Sequence, residues 1–145
     1  MAYILGLWFS NGYIYGNKIF DITLHAKDKY IVKQIAKELN YKGDLFDSVD
    51  KQSARINFSC VVIYNDIKNL NGSEENKNTF PLVPKEYLGD FIRGYFDGGC
   101  GDISFLKNKR INSKFIGQSK VFLDSLLDIL QSEAGVKGGS YDPLS

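Results

Sequence analysis

The sequence predicts an α+β fold in which a unit of order α-β-β-α-β-β-α is followed by a truncated second copy of itself. Two stretches of the 145-residue chain share one pattern, "YILGLWFSNGYI" over residues 3–14 and "FIRGYFDGGCGDI" over residues 91–103. Each has a glycine inside an apolar helical run, a small residue four positions later, and a glycine-containing stop before a β-branched residue. A strand, turn and strand pattern and an amphipathic helix follow each stretch, which indicates an internal duplication.

The first copy begins with an apolar helix over residues 3–9, which we expect to end at Asn11 and Gly12. Glycine at that position suits the left-handed conformation that often closes a helix. The next run, "GYIYGNKIFDITLH", has a Gly-Asn pair between two segments rich in Tyr, Ile, Phe and Thr. This arrangement predicts a hairpin of two strands.

The rest of the first copy continues with helices and strands. Apolar residues at four-residue spacing, with lysines on the other side, predict an amphipathic helix over residues 27–39. Residues 53–65 predict a strand that pairs with part of residues 44–50, and residues 63–70 predict a short closing helix. The first copy is therefore expected to span residues 1–70.

The polar segment 71–84, which contains Pro81 and Pro84, predicts a linker. Residues 85–145 then repeat the order of helix, hairpin and amphipathic helix. Only 51 residues follow Gly94 (145 − 94), so this second copy stops before its third and fourth strands. We expect either a fragment or a sheet that another chain completes, because an unfinished sheet leaves an unpaired edge.

Small residues recur on one face of each glycine-containing helix. Gly6 with Ser10, and Gly94 with Gly98, are four positions apart, so each pair forms a stripe without bulky side chains. Such stripes let two helix backbones approach closely, which offsets the roughly 0.5–1 kcal/mol that a glycine in mid-helix costs relative to alanine. The alternative is that each glycine makes room for a neighbouring core side chain.

Composition excludes several classes of protein. Eighteen Lys and Arg against 17 Asp and Glu leave a net charge of +1, so an anionic partner must be recognised through locally sorted charge. Cys60 and Cys100 lie 40 positions apart, and His25 is the single histidine, so no structural zinc set is expected. The chain has no membrane-spanning run or secretory signal, which predicts a cytoplasmic protein without a membrane partner.

The stretches "ILGLWFSNG" and "IRGYFDGGC" resemble the two LAGLIDADG motifs of single-chain homing endonucleases. The resemblance implies that both motif helices pack side by side at a pseudo-twofold axis, with the sheets forming a saddle over the DNA major groove. It also implies Mg²⁺ as a cofactor, held at the scissile phosphates by the penultimate acidic residue of each motif. The expected partner is double-stranded DNA, bound by a pseudosymmetric monomer or by an oligomer that supplies the missing strands.

Both acidic positions are altered in this chain. Asn11 stands at the first, where an amide oxygen coordinates a metal without charge and cannot act as a general base. Gly99 stands at the second and has no side chain. Asp102 is the alternative catalytic and metal-ligand candidate beside Asn11, while Asp97 matches a structural position of the family pattern and an aspartate such as Asp102 commonly bonds its own turn.

Polar residues on the predicted strands and hairpins are candidates for DNA binding, because alternate strand residues face the groove and hairpin tips reach the phosphates. The candidates are Tyr15, Asn17, Lys18, Thr23, Lys51, Arg55, Lys107, Lys109, Arg110, Asn112, Lys114 and Gln118. The alternative for each one is an ordinary solvated strand face.

The sequence therefore predicts a DNA-binding protein of the LAGLIDADG type that recognises double-stranded DNA site-specifically. Cleavage is open, because both acidic metal-ligand positions are altered. The alternative function is a non-catalytic DNA-binding or regulatory module of the same fold.

Overall fold

The computed structural model describes residues 1–16, 18–48, 51–70, 77–107, 109–117 and 119–139. Before residue 71 the elements are α1 (Ala2–Asn11), β1 (Gly12–Tyr15), β2 (Ile19–His25), a 3₁₀ turn (Ala26–Asp28), α2 (Lys29–Glu38), β3 (Phe46–Asp47), β4 (Ser53–Ser59) and α3 (Val61–Asn69). After residue 76 they are a 3₁₀ turn (Lys85–Tyr87), α4 (Leu88–Tyr95), a π-helical turn (Phe96–Cys100), β5 (Gly101–Phe105), β6 (Ile111–Phe115) and α5 (Lys120–Ala134). The predicted mixture of helices with antiparallel sheets is confirmed.

The first sheet has four antiparallel strands in the order β1-β2-β4-β3. In its register Ile22 lies opposite both Gly12 and Ile56, and Thr23 lies opposite Arg55. Side chains alternate between the two faces of a strand. The inner face is therefore apolar and buried, whereas the outer face carries polar residues of β1, β2 and β4.

The inner face of this sheet is covered by α2. Ile31, Val32 and Ile35 of α2 are buried in the same core as Ile22 and Ile56 of the sheet. The lysines of α2 lie on its other side, as the amphipathic pattern predicts. Within the described ranges, none of the helices combines the length and the apolar character needed to cross a bilayer.

The second sheet consists of β5 and β6. Phe115 of β6 packs on Phe96, with ring centroids 5.2 Å apart, and so anchors one end of the hairpin to the core. Further along the same face Ile103, Phe105 and Ile111 are 53%, 78% and 65% exposed. Among the described residues, no strand pairs with the outer edge of β6, whereas β4 pairs with β2 along its whole length.

The two glycine-containing helices, α1 and α4, pack directly against each other. An added Cβ on Gly6 would overlap the carbonyl oxygen of Phe91 and lie 2.7 Å from the backbone nitrogen of Tyr95. An added Cβ on Gly94 would overlap the carbonyl oxygen of Tyr3 and lie 3.1 Å from the nitrogen of Leu7. No side chain larger than hydrogen fits either position, so the helices are in backbone contact.

The expectation that Gly12 forms a left-handed cap is wrong. Gly12 has φ −99° and ψ 160°, which is extended backbone, and it is the first residue of β1. An added Cβ there would lie 2.5 Å from Cγ of Trp8. Glycine at this position therefore allows the chain to pass close to the indole as α1 continues directly into a strand.

The predicted strand over residues 53–65 ends earlier, at Ser59. Ser59 lies opposite Ile19, the first residue of β2, so the ladder has no further partner residue beyond it. The amide of Cys60 makes a last bond to the carbonyl of Lys18, and α3 begins at Val61. The apolar β-branched run around Val61 thus becomes the first turn of a helix.

Replacing Gly94 with alanine should lower the free energy of unfolding by about 1–3 kcal/mol, because overpacking a close backbone contact costs that much. Gly89→Ala is the matched control in the same helix, since an added Cβ there meets nothing within 4 Å. The control should raise stability by about 0.5–1 kcal/mol through helix propensity. Chemical denaturation of both variants checks the difference, and effects of the same sign would contradict the observed packing.

Candidate functional site

The C-terminal ends of α1 and α4 meet at one side of the molecule. The helices run in the same sense, with Gly6 facing Phe91 and Tyr95, and Ser10 facing Gly98. The side-chain amide of Asn11 donates a hydrogen bond to the carbonyl oxygen of Gly98 and so links the two ends. Both hairpins therefore start from neighbouring points.

Gly99 lies in the π-helical turn that follows α4. Its φ of 113° lies in the region that favours glycine. An added Cβ would also lie 3.2 Å from Nδ2 of Asn11. A side chain at this position would be strained and would crowd the amide that links the helix ends.

Asp102 lies on β5 opposite Lys114 of β6, and the carboxylate is 3.4 Å from the ammonium. Asn11 uses its amide as a donor, and Gly99 offers no side chain. Within the part of the chain that the structure describes, no group of three or more His, Cys, Asp or Glu side chains could hold a metal ion. These residues do not make a donor set suited to Mg²⁺, which prefers several oxygen ligands and carboxylates.

Asp97 lies in the π-helical turn after α4 and links that turn to α1. Its carboxylate accepts a hydrogen bond of 3.0 Å from the hydroxyl of Tyr3 on α1. Burial, with a further contribution from Asp97, raises the pKa of Tyr3 to about 12. The hydroxyl therefore stays protonated at neutral pH and keeps its role as donor to the carboxylate.

Lys77 is a residue at the helix ends that sequence reasoning missed. Its Nζ donates to the carbonyl oxygens of Trp8, at 3.0 Å, and of Gly12. The ammonium also lies 4.2 Å from the ring centroid of Trp8 and 5.2 Å from that of Tyr13. A cation in this place satisfies carbonyls at the end of α1 and is attracted by the aromatic faces. No periodic pattern in the linker distinguishes this lysine from its neighbours.

Four side chains form a connected polar group on the outer face of the first sheet, which we call the Asp21 cluster: Tyr15, Asp21, Thr23 and Arg55. Nε of Arg55 donates to Oδ2 of Asp21 at 2.7 Å, and Nη2 donates to the same oxygen. Nη2 also donates to the Tyr15 hydroxyl at 2.9 Å, and Thr23 donates to Oδ1 of Asp21 at 3.3 Å. The hydrogen bond with Asp21 raises the pKa of Arg55 above its usual range, despite partial burial that lowers it.

The β5-β6 hairpin carries predicted DNA-binding residues in two places, on one sheet face and in the turn. Asn112 and Lys114 share the outer face of the β5-β6 sheet with Asp102. Lys107 and Lys109 are exposed in the turn, where the amide of Lys109 donates to the carbonyl of Leu106. The turn is closed by a bond from the amide of Leu106 to the carbonyl of Arg110.

The remaining candidates lie in turns or outside the described residues. Lys18 and Lys51 have φ of 61° and 56°, in the turns before β2 and β4. Lys51 is exposed, and the ammonium of Lys18 lies 5.8 Å from the ring centroid of Tyr64. Asn17 and Gln118 lie outside the described residues.

Comparison with solved structures finds the I-LtrWI LAGLIDADG homing endonuclease bound to target DNA, with a TM-score of 0.54 and 14% sequence identity. The match covers 90% of this chain and 71% of that chain. At this identity the likeness shows that the fold is similar to a homing-endonuclease fold. No protein-family model matches the chain, and no curated protein matches it significantly.

Replacing Asn11 with aspartate should destabilise the protein at neutral pH by about 1–3 kcal/mol, because a carboxylate cannot donate to the Gly98 carbonyl and is left facing it. Protonation restores a donor, and the neighbouring carbonyl should raise the pKa of the new carboxyl in the folded state. The deficit should therefore shrink as pH falls through that raised value toward about 3.9, the unperturbed pKa. Urea denaturation as a function of pH checks this, with Asn112→Asp on exposed β6 as the matched control. Equal stability of wild type and Asn11→Asp at neutral pH would contradict the observed link.

Proposed function

We propose that this protein binds double-stranded DNA site-specifically, with the outer faces of its two sheets placed along the major groove. The observation that carries the proposal is the Asp21 cluster. It is an ordered group of donors and acceptors on the sheet face opposite the apolar core. The fold's likeness to an endonuclease bound to target DNA supports the same conclusion.

The proposal includes an internal duplication, with copies at residues 1–70 and 85–145, a linker at residues 71–84, and a pseudo-twofold axis near Gly6 and Gly94. Two observations support it. The order α4-β5-β6-α5 repeats the order α1-β1-β2-α2, and both helices run in the same sense and lead into a hairpin. A pseudosymmetric monomer then places two sheets along one duplex, and a strand added at β6 would complete the second sheet.

Binding without cleavage at the helix ends is the function that the donor set favours. Asn11 is engaged with Gly98, Gly99 has no side chain, and Asp102 is paired with Lys114. Phosphodiester hydrolysis by the metal-dependent route needs carboxylates that hold the ion beside the phosphate. We therefore propose a DNA-binding module as the function and treat endonuclease activity with Mg²⁺ as the competing outcome.

A salt titration of binding to a fluorescent duplex of randomised sequence tests the proposal. Wild type should bind, and the logarithm of its affinity should fall linearly with the logarithm of salt concentration. Replacing Lys107, Lys109 and Lys114 together with glutamine should reduce that slope by up to about 0.9 for each phosphate that the variant no longer neutralises. The measurement is fluorescence anisotropy over a series of salt concentrations.

The matched control replaces three exposed lysines beside or on α2, Lys27, Lys33 and Lys37, with glutamine. The change in net charge is identical, but α2 covers the inner face of the sheet, so the slope should stay close to wild type. Equal losses of affinity in both triple variants would contradict a specific DNA face. Incubation with plasmid and Mg²⁺ should leave it uncut, and nicking that Asp102→Ala abolishes would establish the endonuclease instead.

A further inference from the structure

We infer that Arg55 reads a guanine and that Asp21 is the residue that positions it. This inference deepens the proposed function and rests on it. Arg55 lies in the middle of the first sheet, opposite Thr23 on β2 and Phe46 on β3. A residue in that place faces the floor of a groove, where base edges lie, whereas turns at the sheet margin face the phosphates.

Asp21 holds the guanidinium from one side. Its carboxylate is almost wholly buried, with 3% of the side chain exposed, while 41% of the Arg55 side chain is exposed. Nε and Nη2 of Arg55 donate to the Asp21 carboxylate. The second N–H of Nη2 donates to the Tyr15 hydroxyl. A long side chain that is already ordered loses less entropy when it binds.

The remaining donors define the ligand. Nη1 has no hydrogen-bond partner among the residues that the structure describes. The N–H groups that remain are therefore the two on Nη1, which offer donors and no acceptor, because guanidinium cannot accept a hydrogen bond. Guanine presents two neighbouring acceptors, O6 and N7, in the major groove, whereas adenine and cytosine present a donor there and thymine a single acceptor beside a methyl group.

Charge also favours a base over a phosphate as the ligand of Arg55. Asp21 already pairs with the guanidinium, so the pair carries little net charge. A phosphate contact derives its strength from net positive charge and the release of counterions. Directional hydrogen bonds to a base edge do not depend on that net charge, and the buried carboxylate stays away from the DNA.

Selection from a randomised duplex library tests the assignment. Wild type should enrich guanine at one or more positions, and 7-deazaguanine at that position, which lacks the N7 acceptor, should weaken binding about ten-fold or more. Arg55→Lys should lose both the guanine preference and the sensitivity to 7-deazaguanine at that position. Preferences at other positions should stay.

Asp21→Asn tests whether Asp21 positions Arg55, and the quantity measured is base preference rather than overall affinity. The ratio of affinities for guanine and adenine at that position should fall, while the salt slope should change little, since the same phosphates are still neutralised. Arg93→Lys is the matched control for Arg55→Lys, because Arg93 lies on α4 and pairs with Asp90 at 3.2 Å. It should keep the guanine preference.

The 7-deazaguanine measurement uses unmodified protein and does not depend on how the variants fold. The assignment would be overturned, with the proposed function intact, if wild type bound with no guanine preference that Arg55→Lys removes. A salt slope that falls by about one in Arg55→Gln, which removes the charge, would overturn it as well, because that fall marks a phosphate contact. Absence of duplex binding by wild type would overturn both.

Discussion

The backbone contact between α1 and α4 is the constraint on which the rest of the molecule depends. Gly6 and Gly94 place each helix where any larger side chain would overlap carbonyl oxygens of the other. Aromatic rings surround this seam: Phe9 lies 5.5 Å from Phe91 between ring centroids, in an edge-to-face arrangement. The two backbones are thus in direct contact, and large apolar side chains pack beside that contact. Close packing of this kind leaves little freedom for one helix to shift along the other.

The position of the helix ends follows from this seam. Since both helices run in the same sense, their last residues are neighbours, and Asn11 reaches the carbonyl of Gly98. Two carboxylates at these helix ends would repel each other unless a cation lay between them. An amide opposite a carbonyl forms a neutral link and needs no ion. Asn11 therefore makes a structural contact at the helix ends.

The elements that could be predicted from the sequence are those whose residues follow a local periodic pattern. The four-residue spacing of Ile31 and Ile35 predicts α2, and the alternation around Ile22 predicts β2, because each pattern repeats the geometry of its element. The glycine spacing predicts helix faces that can approach, but not that they do. Gly12 shows the limit, since its extended conformation depends on Trp8 and on pairing with Ile22 rather than on its own preference.

The candidate site was less predictable, because its contacts join distant parts of the chain. Tyr15, Thr23 and Arg55 are all polar residues of predicted strands, yet their meeting at Asp21 depends on the register of β2 against β4. A shift by one residue would move Arg55 to the buried face. Lys77 lies in a segment without periodicity, so its contacts with Trp8 and Gly12 at the end of α1 are not encoded in a local pattern.

The central claim is that the two glycine helices touch, and nuclear Overhauser effects between their α-protons test it most directly. In labelled protein, the Gly6 α-protons should show cross-peaks to protons of Phe91, Gly94 and Tyr95, since an added Cβ on Gly6 would lie within 3.0 Å of backbone atoms of that segment. Cross-peaks from Gly6 to other elements, with none to α4, would contradict the account.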